Sequence, residues 1–379
     1  MFTPRHQVVV IGGGYAGTLA ANHLRLRADV DITVVNPRPE FVDRIRLHEF
    51  AAGTGRATAD YGTLLGTGIE LVVDSVTRID TTARTVRLAS GRSLDYDYVI
   101  YAVGSTGAAP PDAYDIADLD SARLLRTRLA DTPVAAPVVV VGGGLTGIET
   151  AAELAEQRRQ VTLVCGRALA PSLSVPGRRY IARWLARHGV TVLEGVSATE
   201  VYPDAVILAD GTERASALTI WTAGFGVPGL AAASGLRTDA IGRLLTDETL
   251  TSVDDDRIVA AGDAAAPSGR PLRMSCQAAG PLGAQAADTV LSRIAGTEPA
   301  MIDLAFTGSC VSLGRRDGIR QFARKDDSAM NVYFGGRLGG AYKELTCKFV
   351  MSRIRREAGR PGSAFWVKGG RRPSALSAS

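Results

Sequence analysis

Two glycine clusters carry the clearest chemistry in this sequence. Gly12-Gly13-Gly14 is followed by Gly17, and Gly142-Gly143-Gly144 by Gly147, so each has the spacing G-x-G-x-x-G. That spacing suits a phosphate cradle. Gly12 and Gly142 allow a tight turn, Gly14 and Gly144 let a pyrophosphate approach the backbone, and Gly17 and Gly147 let a helix pack onto its strand. The helix that follows offers free N–H groups and a partial positive charge to the phosphates. Tyr15-Ala16 and Leu145-Thr146 lie within these turns and share the same backbone. Each cluster follows an apolar strand and opens a helix. A dinucleotide at each is the expectation, and a pair of purely structural glycine turns is the alternative.

The elements around the clusters repeat as well. Residues 7–24, QVVVIGGGYAGTLAANHL, match residues 137–154, PVVVVGGGLTGIETAAEL, at nine of eighteen positions. Both read as strand, glycine turn, amphipathic helix and second strand, at Asp31–Val35 in one copy and Val161–Val164 in the other. A period near 130 residues is too long for a solenoid unit and suits a duplicated domain. The chain has 379 residues, enough for two or three domains at roughly 150 each. Tyr96–Ser105, YDYVIYAVGS, and Ala217–Phe225, ALTIWTAGF, read as strands that close the two units. Arg257–Ala266 is a strand ending in Gly262-Asp263, whose carboxylate can accept hydrogen bonds from a ribityl or ribose hydroxyl.

Composition narrows the class. With 46% hydrophobic and 22% charged residues the chain is an ordinary globular protein. It has no run of about 18 apolar residues that would cross a membrane. Val8-Val9-Val10-Ile11 passes straight into glycines and reads as a strand and turn, not a signal peptide. Cys165, Cys276, Cys310 and Cys347 lie far apart with no C-x-x-C pair, which suits a reducing cytoplasm and argues against a disulfide framework or a metal site. The net charge is +4, but from Arg337 onward ten Lys/Arg face two Glu, a net +8. A helix is expected from Tyr342 to Glu357. Tyr342, Leu345, Phe349 and Val350 form its apolar stripe, and Lys348, Arg353, Arg355 and Arg356 its basic side. Together with Phe365-Trp366 and Arg371-Arg372 it fits interfacial membrane binding. A helix docked on its own domain or on a homodimer partner is the alternative. No motif that reads nucleic acid accompanies the charge.

In this order the motifs resemble the two-dinucleotide-binding-domain flavoproteins, the pyridine nucleotide–disulfide oxidoreductase superfamily. Within it the chain is most similar to type II NADH dehydrogenases and ferroptosis-suppressor-like quinone reductases. The resemblance implies an α/β fold with two Rossmann-like dinucleotide-binding domains, the second inserted in the first, plus a smaller C-terminal α+β domain. FAD would occupy residues 1–110 and 229–300, NAD(P)H residues 111–228, and residues 301–379 would form a sheet and the basic amphipathic helix. By the same mapping, backbone near Val76 meets the adenine, Ala102 and Gly104 line the FAD, and Asp263 meets its ribityl chain. Arg44 would contact FAD phosphates, His48 and Glu49 would lie nearer the ring, and Gly224 would line the second nucleotide. Glu149 would sit at the nicotinamide–flavin junction, positioning the carboxamide or handling a proton. Gln277 would begin a helix whose dipole faces the flavin pyrimidine edge. Type II dehydrogenases line their quinone site with A-Q-x-A-x-Q; this chain keeps Gln277 but has Pro281 for the second glutamine. Residues 41–53, FVDRIRLHEFAAG, lack the redox Cys pair that disulfide reductases carry there.

Nucleotide preference is set at the end of the second strand, where an acid about 20 residues beyond the glycines binds both ribose hydroxyls of NAD. Here Cys165-Gly166-Arg167 stands instead. A carboxylate and a phosphate charge about 4 Å apart repel by roughly 4 kcal/mol at an effective dielectric of about 20, so losing the acid admits a 2′-phosphate. Arg167 could hold it with a forked contact, and NADPH is expected to serve at least as well as NADH. Asn36 replaces the acid in the first copy and can still bond a ribose hydroxyl.

The implied activity is hydride transfer from NAD(P)H to flavin, then two electrons to a quinone or quinone-like small molecule. The alternatives are a soluble oxidoreductase for a small metabolite or carrier protein, a sulfide:quinone oxidoreductase, and a redox-responsive binding protein. The expected location is the cytoplasm, or the inner face of its membrane through the basic helix.

Overall fold

The structure is a computed structural model that describes residues 5–370 and Arg372. In chain order its principal strands are β1 (His6–Ile11), β2 (Val30–Asn36), β3 (Ile69–Val73), β4 (Tyr98–Tyr101), β5 (Ala113–Asp115), β6 (Pro137–Val141), β7 (Gln160–Val164), β8 (Thr191–Leu193), β9 (Leu218–Trp221), β10 (Ile258–Ala260), β11 (Gly308–Leu313), β12 (Asp317–Ala323) and β13 (Ala329–Gly335). The helices that position the site are α1 (Tyr15–Leu24), α2 (Leu47–Ala51), α3 (Leu145–Glu156), α4 (Cys276–Ile294) and α5 (Gly336–Gly359).

The strands form two parallel sheets of the same design. One has the order β10-β4-β1-β2-β3 and the other β5-β9-β6-β7-β8. In each, the strand that precedes the glycine turn is central, flanked by the second strand and the closing strand. Val8–Ile11 and Val138–Val141 are buried, as expected for parallel strands covered on both faces. The chain leaves the first sheet through Thr106–Gly107 and returns through Phe225–Gly226, and these two short strands pair antiparallel. After the second sheet, β10 rejoins the first beside β4. The fold is therefore two Rossmann-like units, one interrupted by the other. Val227, Ala231, Ile302 and Phe306 all pack into the first unit's core.

The C-terminal part is an antiparallel sheet, β11-β12-β13, crossed by α5. This helix starts at Gly336 and ends at Gly359, well before the expected Tyr342 and just past Glu357. Its first turns contain helix-disfavouring glycines, but packing requires them: a Cβ on Gly339 would lie 2.2 Å from the Gly318 carbonyl oxygen of β12. The expected apolar stripe faces outward, with Leu345 63% and Phe349 44% exposed. The buried face carries Lys343, Cys347, Met351, Ile354 and Glu357 instead. The helix thus docks on its own chain and still shows an apolar outer side. Arg371, part of the basic tail, lies outside the described residues.

A buried ionic clamp holds the far end of α5. His23 on α1 has Nδ1 2.7 Å from Glu357 Oε1 and Nε2 3.0 Å from Asp288 of α4. Burial disfavours the charged ring, but the two carboxylates outweigh it and raise His23 from 6.5 to about 9. A raised histidine contributes stability that is complete below 6.5 and is lost as pH rises through about 9. The difference is worth about 3 kcal/mol. Urea unfolding at pH 7 and pH 9.5 is expected to show a pH-dependent loss of about this size in the wild type that His23→Gln lacks. Equal losses in the two proteins would remove the clamp from the account.

Candidate active site between two nucleotide cradles

The first cradle forms where β1 meets α1. Gly12 has φ +101°, and a Cβ there would stand 2.4 Å from the Ala102 carbonyl oxygen. A Cβ on Gly17 would stand 1.8 Å from the Gly12 carbonyl oxygen. Gly14 differs: its Cβ would meet nothing within 4 Å. That open space faces a cavity of about 940 Å³. No side chain caps α1, whereas Asp118, Ser174 and Ser275 cap the helices that follow them. The first-turn N–H groups of α1 are thus left for a ligand, which fits a pyrophosphate. Tyr15, Ala16, Asn36, Arg44, Val76, Ala102, Gly104 and Asp263 all line this cavity. Asn36 accepts from the Gly13 N–H at 3.0 Å and donates to the Arg38 carbonyl at 2.8 Å. Arg44 donates to the Ser105 carbonyl, and the Ser105 hydroxyl donates to Asp263 at 2.8 Å. The middle glycine has a role too: a Cβ on Gly13 would stand 2.1 Å from the Tyr61 hydroxyl, which donates to the Gly13 carbonyl at 2.7 Å.

The second cradle repeats the first. Gly142 has φ +127°, its Cβ would meet Thr222 Oγ1 at 2.3 Å, and a Cβ on Gly147 would stand 1.9 Å from the Gly142 carbonyl oxygen. Gly144 again opens onto free space, and α3 again lacks a side-chain cap. Leu145 and Thr146 in the first turn of α3, with Glu149 and Gly224, line the same cavity as the first cradle, whereas the turn glycines Gly142, Gly143 and Gly144 do not. At the end of β7, Cys165 is buried and Arg167 exposed. Arg159 turns away to the carbonyls of Leu129 and Thr132. An acid does reach this corner, from the residue that follows the neighbouring strand β8. Burial first, and then Glu194, push the Cys165 thiol up to about 12, while the Glu194 carboxylate accepts from the Leu169 N–H.

Between the cradles, four segments bring a charged cluster together. Glu149 comes from α3, His48 from α2, Ser312 from β11 and Lys343 from α5. Lys343 Nζ lies 2.7 Å from Glu149 Oε1, which also accepts from the Ser312 N–H at 2.9 Å. His48 has Nε2 3.3 Å from the Ser312 hydroxyl and Nδ1 3.9 Å from Glu149. All four are buried, yet Glu149, His48 and Lys343 reach the cavity. Burial pushes the Glu149 carboxyl up, but the Lys343 ammonium, then His48, hold it below its ordinary value. Burial works against Lys343 too, and Glu149 more than restores its charge, raising it. Burial lowers His48, keeping the ring neutral near pH 7. The result is a carboxylate–ammonium pair beside a neutral imidazole, arranged to hold or move a proton.

Other expected residues fall differently. Glu49 is outside the cavity lining, in ion pairs with Arg46 at 2.9 Å and Arg315 at 2.7 Å. The long helix starts at Cys276, one residue before Gln277, with Ser275 as its cap. Gln277 lines the cavity, but its amide is bonded to Thr307 at 3.0 Å. Pro281 lies inside the helix and lacks the N–H that would bond the Gln277 carbonyl. Cys276, Cys310 and Cys347, distant in sequence, all line the cavity as free thiols. Burial is the first cause that pushes Cys276 up to about 11 and Cys347 up to about 12. Among the described residues no cluster has the ligands for a metal ion.

Residues 6–283 match the family described as pyridine nucleotide-disulphide oxidoreductase. The chain is 33% identical over 323 residues to an NADH dehydrogenase-like protein of Mycobacterium tuberculosis, covering 76% of this chain and 80% of that one. It is 26% identical over 327 residues to the type II NADH:quinone oxidoreductase of Haemophilus influenzae, covering 68% and 73% respectively. The fold superposes on the sulfide:quinone oxidoreductase of Aquifex aeolicus with a TM-score of 0.79 at 20% identity, covering 94% of this chain and 93% of that one. The chain belongs to the pyridine nucleotide–disulphide oxidoreductase family, whose enzymes work with FAD and NAD(P)H.

Proposed function

We propose that this protein is an NAD(P)H:quinone oxidoreductase. FAD would occupy the first unit (1–110 and 229–300), NAD(P)H the inserted unit (111–228), and a quinone-like acceptor the side of the cavity covered by 301–379. One observation carries the reading: the first cradle and the first turn of α3 line a single cavity, which also takes in Glu149, Lys343 and the rings of Tyr342, Phe349 and Phe365. When bound, the flavin supplies hydride acceptance and a two-electron store, and the nucleotide supplies the hydride. The chain's residues do the rest. The uncapped ends of α1 and α3 hold pyrophosphates, with Arg44 and Asp263 along the first cofactor and Gly224 beside the second. The Glu149–Lys343 pair orients the carboxamide end of the nucleotide and delivers a proton toward the acceptor side, while His48 and Ser312 fix the carboxylate. The dipole of α4, with Gln277 in its first turn, favours negative charge at its N-terminus.

Arg167 would recognise a 2′-phosphate, since Glu194 is turned toward the Leu169 N–H. Among the described residues no helix is long and apolar enough to cross a membrane. We place peripheral membrane contact at the exposed Leu345, Phe349 and Phe365 beside Lys348, Arg355 and Arg356, with self-association through the same face as the alternative. Steady-state reduction of 1,4-naphthoquinone by the FAD-loaded enzyme tests the reading. Turnover is expected with both nucleotides, and kcat/KM for NADPH equal to or above that for NADH. A hundredfold preference for NADH would remove the role of Arg167, and absence of quinone reduction would remove the acceptor. The three cavity thiols support a second reading, sulfide as electron donor. Flavin bleaching by sulfide without nucleotide would favour it.

A further inference from the structure

We infer that the acceptor is an anionic aromatic compound, a quinone-like ring carrying a carboxylate or sulfonate, and that Arg320 recognises its charge. This rests on the quinone reading above and names the substrate class for that site.

Arg320 projects from β12 into the cavity and is only 6% exposed. Its Nη2 donates to the Thr307 carbonyl at 2.7 Å and the Thr307 hydroxyl at 3.0 Å, and its Nε has no partner. Its guanidinium lies over the rings of Tyr342 at 5.0 Å and Phe322 at 5.3 Å. Among the described residues no carboxylate comes within 4 Å of it, whereas two neighbouring cations are matched. Lys343 pairs with Glu149, and Arg273 forks onto Asp327 with bonds of 2.6 and 3.0 Å. A buried cation without a counter-charge is expensive, and its cost is recovered when an anion fills the gap. Guanidinium is also the group that grips a planar carboxylate or a sulfonate by two parallel bonds, and the flanking rings hold it in one orientation.

A second arginine marks the way in. Arg353 lines the same cavity, donates to the Phe365 carbonyl at 2.7 Å, and lies over Phe349 and Phe365, both substantially exposed. Its Nε is also without a partner. Tyr342, against Arg320, and Arg353 stand eleven residues apart on α5, about 16 Å along its axis. The compartment thus carries one cation against the exposed rings of Phe349 and Phe365 and one buried against Tyr342. The aromatic walls suit a ring and the two guanidiniums suit its charge.

The test compares 1,4-naphthoquinone with 1,4-naphthoquinone-2-sulfonate, using FAD-loaded enzyme and NADPH. Arg320→Gln is expected to lower kcat/KM for the sulfonate by roughly 30-fold, the loss of one charge-assisted contact, and to leave the uncharged quinone within about threefold. Arg320→Lys should recover part of the loss. A loss shared equally by both quinones would overturn the inference while leaving the quinone reading intact, because a residue acting on the flavin slows every acceptor alike. No turnover with either quinone in the wild type would overturn both. A measurement on unaltered enzyme guards against a variant that fails to fold. In wild-type protein, 2-naphthoate should inhibit at least about tenfold more tightly than neutral 2-naphthamide. Equal inhibition would also overturn the inference.

Discussion

Lys343→Met is expected to abolish most turnover and to destabilise the protein, and the two effects should separate in a double variant. Lys343 is the counter-charge of Glu149 in a site where both are less than one-tenth exposed. Removing one partner leaves a buried charge uncompensated, at a cost of about 3–5 kcal/mol. That is a large fraction of the about 5–15 kcal/mol by which ordinary domains are stable. Removing the charge from both sides with Lys343→Met/Glu149→Gln should restore much of this stability. Turnover should not return, because a positioned acid–base pair contributes about 10²–10⁴-fold and both members are now absent. Urea midpoints and kcat on the three proteins check both halves. If the single variant keeps turnover within tenfold of wild type, the pair is structural and the proton role assigned to it is wrong.

The second large effect distinguishes the two cradles. Gly14 and Gly144 both have negative φ and free space where a Cβ would go, so a larger residue fits without distorting the fold. An aspartate there places a carboxylate where a pyrophosphate must lie, with repulsion of roughly 4 kcal/mol at about 4 Å and an effective dielectric of about 20. Gly144→Asp should therefore purify yellow with its FAD, and its KM for NADPH should rise by roughly two to three orders of magnitude. Gly14→Asp should fold but purify without flavin. Gly17→Ala and Gly147→Ala are controls of another kind: each drives a methyl into a carbonyl oxygen less than 2 Å away and should cost stability. Loss of flavin from Gly144→Asp, with retention in Gly14→Asp, would exchange the two cofactors between the units.

What the sequence revealed and what it hid follow from the range of the interactions. A glycine turn is a local device, and its strand, turn and helix lie within about twenty residues. Both cradles, the duplication and the order of their closing strands were therefore legible. The junction cluster was not, apart from Glu149 and His48. Lys343 and Ser312 are each more than 160 residues from Glu149, and nothing in their local patterns marks them. Lys343 in particular belongs to a helix that reads as a basic amphipathic surface. Its apolar stripe is real, but it faces outward, and the side buried against the core carries a lysine, a cysteine and a glutamate. Arg320 was hidden in the same way, since an arginine within a strand ordinarily faces solvent. The glycine-rich start of α5 was missed because helix propensity counts glycine as unfavourable, while β12 leaves no room for a side chain. Glu194 was overlooked because the rule for nucleotide preference inspects only the end of β7, and the acid directly follows β8.

Anaerobic titration of the FAD-loaded enzyme tests the central claim most directly. One equivalent of NADPH per flavin should bleach the yellow absorbance, and addition of a quinone should restore it fully, with one equivalent of hydroquinone formed. A flavin that stays oxidised with nucleotide present, or a bleached flavin that quinone cannot reoxidise, would contradict the account.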